Sequence, residues 1–421
     1  MSHVIDTLYE SNDLEAIERS FRDDILDIGN KAFAALLQEQ ANRIDRQEKH
    51  NDELKYCCQR SKQIHTLLGA LTIHRGYYLH CESNSHRFRF DEKFGLGKSS
   101  YSPGAQRAIS KLGAYLPFGF SDVELKELTG IDYGAKAVER ITKEVGAEVV
   151  EYNKGKDKQM PENTTSTTMY LAMDGTGIPM TGSALAGRKG KQTPEAKTRE
   201  VKLGCIFTQS KTGADNYPQR DEASTTYLGG IISAKELGER IYREAQARNY
   251  TRYRIAILGD GAIWIWNIAT DLFPGAIQIV DLYHAREHFW NVAKVFFGNG
   301  SIEANIWGHC RKEELDNGDV EAVIQAISSL KANNAEQKQV QKSEIGYFQK
   351  NIKRMRYNVF RQMGLFVGSG VLEAGCKTLV GQRLKQSGMH WSLDGAESVI
   401  GLRCCIFSNQ WEDFWEKRAA A

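Results

Sequence analysis

Three segments of the sequence end in an aspartate directly after a run of apolar residues. The segments are MYLAMD, RIAILGD and AIQIVD, and their last residues are Asp174, Asp260 and Asp281. Each run has the length and composition of a buried strand. Carboxylates at the ends of strands line the crevice in which α/β proteins bind ligands. We therefore expect these side chains to lie along one rim of a sheet.

A fourth acid, Glu373, follows a glycine-rich turn and lies in the first turns of a predicted helix. Several carboxylates at one rim repel each other unless a cation holds them, and such oxygen ligands suit Mg²⁺ or Mn²⁺. Two ions about 3.5–4 Å apart can activate an attacking oxygen and stabilise a leaving one in phosphoryl transfer. The expected set is Asp174, Asp260 and Glu373, with Asp174 bridging two ions.

The choice between Asp260 and Asp281 as the second acid stays open in the sequence. In a ribonuclease-H-like sheet the fourth strand lies beside the first, and this favours Asp260 as the neighbour of Asp174. Asp281 precedes His284 by three residues, about one helical turn. We interpret Asp281 and His284 as an accessory pair that shapes the site or contacts the phosphate under attack. A buried Asp–His hydrogen bond with only structural value is the alternative.

The predicted core that positions the acids comprises residues 166–287 and 366–415. Its strands and helices follow the order βββαβαβ, which is that of a ribonuclease-H-like fold. Residues 288–365 carry a helical apolar stripe without strands and are expected to form an all-helical insertion. The fold class is therefore α/β, with helices interrupting the catalytic domain.

The region before this core is predicted to be mostly helical. Residues 1–64 form an N-terminal helical region, with a helix from about Asp13 to Ile64 that suits either core packing or oligomerisation. Residues 65–152 contain a small β element and a helix-turn-helix-like, DNA-binding pair of helices. In that pair Ser121 is expected to cap the first helix, and Gly130 to end it. A polar stretch near residues 153–168 is the expected linker.

Basic residues cluster near the acids although the formal net charge is only +2. The loop between the first two core strands carries Arg188, Lys189 and Lys191, and Arg383 and Lys385 follow Glu373. We expect these five side chains to contact DNA phosphates, with a strong dependence on salt. Trp391, which follows Gly388 and His390 in a predicted loop, is the preferred candidate for stacking on a base.

Four motifs resemble those of Kra-type insertion-sequence transposases, which are bacterial DDE enzymes akin to the Mutator-like group. They are MDGTGIPM, LGDGAIWIW, DLYHAREHFW and GSGVLEAGCKTLVGQRLKQSGMHWS, and they occur with the intervals of that family between about His65 and Trp415. The resemblance implies a DDE triad of Asp174, Asp260 and Glu373. It also implies that Asp281 and His284 are the local version of the family's Cys/Asp-x-x-His element.

The resemblance further implies metal-dependent cleavage at transposon ends and strand transfer into target DNA. The expected partners are double-stranded transposon-end DNA, target DNA and further copies of the chain, in a homodimer or higher oligomer. Two alternatives stay open: a structure-specific DNA nuclease of the same fold, and a non-catalytic, transposase-derived DNA-binding protein.

Zinc and membrane attachment are the less favoured interpretations of the remaining features. Similar transposases often carry paired Cys-x-x-Cys motifs, whereas this chain has Cys57, Cys58, Cys81 and His86. Adjacent cysteines chelate zinc poorly, so a structural Zn²⁺ site is not the favoured reading. The sequence has no apolar run long enough to span a bilayer. We expect a cytoplasmic, nucleoid-associated protein.

Overall fold

The computed structural model describes residues 13–48, 53–83, 85–97, 99–154, 167–186, 197–213, 217–368, 370 and 375–420. The chain divides into two compact units. The first comprises Met1–Gly146 and Asp413–Ala421, and the second comprises Ala147–Glu412.

The first unit combines helices with a small antiparallel sheet. Its elements are α1 (Leu14–Glu48), β1 (Leu54–Thr66), β2 (Gly69–His80), β3 (His86–Arg87), α2 (Arg89–Lys93), α3 (Pro103–Tyr115), α4 (Phe118–Thr129) and α5 (Ala135–Lys154). The strands pair in the order β1-β2-β3. Apolar side chains from α1, the hairpin and the α2 region form one buried cluster, which includes Ile44, Ile64 and Phe90. The hairpin is therefore covered on one face by α1.

The expected helix from Asp13 to Ile64 is wrong in its second part. The helix ends at Glu48, and Leu54–Thr66 forms β1 instead. Ile64 is buried against α1 from the strand, where alternate side chains point to one face. Gly69 has a φ of +120°, which only glycine adopts easily, and it lets the chain return as β2. The tertiary pairing thus overrides the helical pattern of charged residues.

The helix pair expected to bind DNA is present, although its first helix begins earlier than expected. α4 starts at Phe118, and the Ser121 hydroxyl lies inside the helix, where it donates to the Pro117 carbonyl at 3.1 Å. Ser121 is therefore not the cap. Gly130 ends α4 with a φ of +71°, as predicted, and α5 follows from Ala135. DNA contact by this pair remains a prediction.

The second unit is built on a mixed sheet. Its described strands are β4 (Thr168–Pro179), β5 (Thr198–Thr212), β6 (Pro218–Arg220), β7 (Thr226–Gly230), β8 (Arg254–Gly259) and β9 (Ile277–Val280). The sheet runs in the order β6-β5-β4-β8-β9, and β7 also pairs with β5. β4 is antiparallel to β5 and parallel to β8, and β8 is parallel to β9. The helices α6 (Ala234–Ala247) and α7 (Ile263–Leu272) connect the parallel strands.

This arrangement is a mixed α/β fold with the predicted order of strands and helices. The short strand β6 is an addition to the prediction. β4 also runs past Asp174 to Pro179, paired with β5 throughout, whereas its pairing with β8 ends at Met173 and Gly259. The rim at Asp174 thus forms where β8 leaves the sheet.

Helices follow the sheet, as expected for the region from 288 to 365. They are α8 (Leu282–Phe297), α9 (Ile302–Asp316), α10 (Val320–Ser328), α11 (Ala335–Asn351) and α12 (Tyr357–Gln362). A π-helical turn over Cys376–Gly381, α13 (Leu393–Phe407) and α14 (Trp411–Ala420) complete the described chain. Glu373 lies outside the described residues, so its predicted helical position is untested.

Candidate active site

Asp174 is half-buried at the rim where β8 ends. Its carboxylate accepts hydrogen bonds from the Gly175 amide, at 2.6 Å, and from the Cys376 thiol. Burial raises the pKa of Asp174 above its ordinary value, and the negative charge of Asp260 raises it further. The two hydrogen bonds and the charge of His284 act in the opposite direction without cancelling the increase.

Asp260 directly follows β8 and therefore reaches the same rim. The strand residues that precede Asp174 and Asp260, Met173 and Gly259, are paired neighbours. The Asp260 carboxylate accepts a hydrogen bond from the Ala262 amide at 2.9 Å, which forms a tight turn before α7. The register places Asp174 and Asp260 side by side in one acidic site, and the effect of the Asp260 charge on the pKa of Asp174 agrees with that proximity.

Asp281 follows the next strand outward and caps α8. Its carboxylate accepts from the His284 backbone amide at 2.8 Å, and its own amide donates to the Gly259 carbonyl at 2.8 Å. The expected Asp281–His284 contact thus exists as a helix cap through the backbone. The His284 ring lies with its Nδ1 3.3 Å from the Glu287 carboxylate.

Cys376 is a site residue that the sequence pattern did not predict. It is 8 % exposed and its thiol contacts Asp174. Burial and the Asp174 carboxylate raise the pKa of Cys376, so the thiol stays protonated and donates the hydrogen bond. A lone cysteine in an apolar helical run gives no signal of such a contact in the sequence.

The described part of the site fits a divalent cation but does not complete a site for one. Asp174 and Asp260 are neighbouring carboxylates whose repulsion a cation would relieve. Among the residues described, no group of three or more His, Cys, Asp or Glu side chains is arranged to hold a metal ion. Cys57, Cys58, Cys81 and His86 are among the described residues, whereas the third expected acid, Glu373, is not.

Of the five basic residues expected to contact DNA, the structure describes two, Arg383 and Lys385. Arg188, Lys189 and Lys191 lie outside the described residues. Lys385 reaches β4, where its ammonium group donates to the Thr176 hydroxyl, two residues beyond Asp174. Lys385 therefore stays a candidate for phosphate contact beside the acids.

Arg383 is not placed as expected. It is 1 % exposed, and its guanidinium lies 4.9 Å from the centre of the Trp391 ring. Burial and the nearby charge of Arg403 lower the pKa of Arg383 to about 10. Trp391 is also buried, and its indole N–H donates to the Leu384 carbonyl at 3.0 Å. Both residues therefore belong to the core, and neither is displayed for DNA.

No helix in the described ranges is both long enough and apolar enough to cross a membrane.

Comparison with known proteins connects the chain to an uncharacterised family. The profile of that family, UPF0236, matches residues 14–416. A curated protein of Streptococcus gallolyticus, described as a UPF0236 protein in the vanSb 3′ region, is 24 % identical over 352 residues, which cover 81 % of this chain and 71 % of the relative. A solved structure, the Drosophila P element transposase strand transfer complex, aligns with 74 % of this chain and 94 % of its own at 9 % identity and a TM-score of 0.34.

Proposed function

The chain belongs to the UPF0236 family, and on that premise we propose that it is a metal-dependent DDE transposase with a ribonuclease-H-like core. The observation that carries the proposal is the adjacency of Asp174 and Asp260 where the parallel strands β4 and β8 stop pairing, so that the charge of Asp260 raises the pKa of Asp174. The four motifs that resemble Kra-type transposases, of the group akin to Mutator, support the same conclusion.

The proposed reaction has two steps at phosphorus. In the first, water attacks a phosphodiester at a transposon end, and the bond to the 3′ oxygen breaks to leave a 3′-hydroxyl and a 5′-phosphate. In the second, that hydroxyl attacks a target phosphodiester, so that one P–O bond forms as another breaks. Mg²⁺ or Mn²⁺, when bound as a pair, would supply activation of the attacking oxygen and charge stabilisation. Asp174, Asp260 and Glu373 would hold the ions.

The remaining site residues have supporting roles in the proposal. Asp281 fixes the start of α8 and thereby the position of His284, whose charge acts on Asp174. Lys385 beside Thr176, and Arg188, Lys189 and Lys191 in the loop between β4 and β5, would contact the phosphate backbone. Such contacts give affinity without reading sequence.

We also propose that the protein acts as a homodimer or larger assembly, since two transposon ends must be held together. An exposed apolar stripe on α1 supports a self-association surface. Its members are Leu14, Phe21, Ile25, Ile28 and Leu36. An enzyme with these DNA partners would work in the cytoplasm, associated with the nucleoid.

The decisive experiment compares Asp174→Asn with wild-type protein on labelled transposon-end DNA in Mg²⁺. The proposal expects cleavage to fall at least about a thousandfold, because an essential ligand of the phosphoryl-transfer site is lost. Asp271→Asn, an exposed acid on α7, is the matched control and should cleave normally. Cleavage by Asp174→Asn at the wild-type rate would reject the assignment.

The two alternatives give different products. A structure-specific nuclease of the same fold would cut DNA but would not join a precut transposon end to target DNA, so strand-transfer products decide against it. A non-catalytic DNA-binding protein derived from a transposase would bind ends equally well with or without divalent metal, and would leave them uncut.

A further inference from the structure

The helix α11 contacts the turn after β8, which carries Asp260. The Tyr347 hydroxyl, on α11, donates a hydrogen bond to the Asp260 backbone carbonyl at 3.0 Å. We propose that Tyr347 is a positioning residue that fixes the Asp260 carboxylate from outside the sheet. The catalytic consequence rests on the proposed function, whereas the effect on the turn itself does not.

The ring of Tyr347 packs directly on the turn that it bonds. Gly261 has a φ of +102°, and a Cβ atom on it would lie 2.8 Å from the Tyr347 ring. The next residue, Ala262, donates its amide to the Asp260 carboxylate at 2.9 Å. One short turn thus holds both the backbone carbonyl and the carboxylate of Asp260, and the Tyr347 ring packs against it at Gly261.

The helix α8 holds the Tyr347 ring in place. The His288 ring stacks on it with centroids 3.5 Å apart and planes 15° from parallel. His288 Nδ1 lies 2.5 Å from the Glu344 carboxylate, which also accepts from Asn291 at 3.0 Å. Glu344 is 7 % exposed, so these contacts are poorly replaced by water. A rigid side chain is what a positioning role requires.

The protonation of Tyr347 agrees with a donor role. Burial and the negative charges of Asp260 and Asp281 raise its pKa well above the ordinary value, so the phenol keeps its proton.

Another tyrosine of the same helical segment provides a matched control. The Tyr357 hydroxyl, on α12, donates to the Val280 carbonyl at the same distance, 3.0 Å, and is also buried. Phenylalanine at either position removes one hydroxyl and one bond to a backbone carbonyl near the end of a strand. Tyr347 bonds Asp260, the favoured second acid, whereas Tyr357 bonds Val280, which precedes Asp281.

The first measurement is hydrogen–deuterium exchange of the peptide that covers Asp260–Ala262 in the metal-free, full-length protein. Losing one bond of ordinary strength should speed exchange at the turn about five- to tenfold in Tyr347→Phe. Tyr357→Phe should leave exchange there unchanged. Equal exchange at the turn in Tyr347→Phe and wild-type protein would overturn the inference.

The second measurement is transposon-end cleavage with the KM for DNA determined separately from kcat. Tyr347→Phe should lower kcat about tenfold with KM unchanged, because DNA contacts are intact and only the geometry of an acid is loosened. Tyr357→Phe, which loses a bond to the residue before Asp281, should lower kcat less than Tyr347→Phe does. A Tyr347→Phe enzyme with the wild-type kcat would contradict the positioning role. If wild-type protein does not cleave, the proposed function fails, and the exchange experiment alone decides the structural claim.

Discussion

The thiol of Cys376 donates a hydrogen bond to the carboxylate of Asp174. Cys376 lies three residues after Glu373, at the start of a π-helical turn, and such turns often occur at functional sites. The contact therefore ties the chain segment that carries the third expected acid to the first acid. Cys376 donates to the carboxylate of Asp174, whereas Tyr347 donates to the backbone carbonyl of Asp260, and each donor lies on another element.

Replacing Cys376 should separate the hydrogen bond from the volume of the side chain. Cys376→Ser keeps a donor of similar size and should retain most of the cleavage activity. Cys376→Ala should lower cleavage about tenfold, which corresponds to one lost hydrogen bond. Cys205→Ala, which removes another buried thiol in β5, is the control and should lose stability rather than activity. Equal activity of the serine and alanine variants of Cys376 would contradict the role.

The raised pKa of Asp174 predicts how stability depends on pH without metal. Because the pKa is higher in the folded protein than in the unfolded chain, stability falls as pH rises from the unfolded value of about 3.8 through the folded value. Asp174→Asn removes this cost. Above that window, in chelator, the variant should melt about 2–4 °C higher than wild-type protein.

Thermal melts at pH 3.5 and pH 7.5 check this prediction. The difference in Tm between Asp174→Asn and wild-type protein should be absent or small at the lower pH and largest at the higher one. Adding Mg²⁺ at pH 7.5 should raise the Tm of the wild-type protein more than that of the variant. A variant that is less stable than wild-type protein at pH 7.5 in chelator would show that the charge of Asp174 does not destabilise the folded protein.

Asparagine variants of Asp260 and Asp281 should identify the second acid. Asp260→Asn should abolish cleavage, because Asp260 shares the rim with Asp174. Asp281→Asn keeps an acceptor for the His284 amide and preserves the cap of α8, so its loss should be smaller by a factor of at least about ten. Cleavage rates in Mg²⁺ and melting temperatures of both variants provide the comparison. A larger loss for Asp281→Asn would exchange the two roles.

The order of strands could be predicted because the parallel strands β4, β8 and β9 correspond to apolar runs in the sequence, each followed by an acidic residue. MYLAMD and RIAILGD predict both β4 and β8 and the side on which Asp174 and Asp260 meet. The β1–β2 hairpin was only partly predictable. Its first strand is rich in polar and charged residues, and its strand character comes from pairing with β2 and packing on α1.

The contacts around the acids were less predictable, since they join residues far apart in the sequence. Tyr347 contacts the Asp260 carbonyl across 87 positions, and no local pattern marks that pair. Arg383 was misread because a basic residue near an acid suggests a phosphate contact, whereas Trp391 provides it with a buried aromatic face. Charge type alone does not tell a surface arginine from a packed one.

The apolar stripe on α1 predicts where copies of the chain associate. Its side chains recur at spacings of three, four, seven or eight residues, which place them on one face of the helix. Phe21 and Ile25 are 54 % and 53 % exposed, so replacing them removes little of the core of the first unit. Phe21→Lys combined with Ile25→Lys should therefore leave the Tm nearly unchanged while it lowers the oligomeric mass.

Light scattering after size-exclusion chromatography, with and without transposon-end DNA, measures that mass. The matched control is Ile302→Lys combined with Ile306→Lys on α9, two isoleucines that are 74 % and 63 % exposed. The control variant should keep the wild-type mass. Both variants replace two exposed apolar side chains with lysine, so a lower mass in the α1 variant alone would point to the α1 surface. Any interface that α1 forms would bury the two new lysines, which is costly. An α1 variant that keeps the wild-type mass on end DNA would therefore show that the chain associates through another surface.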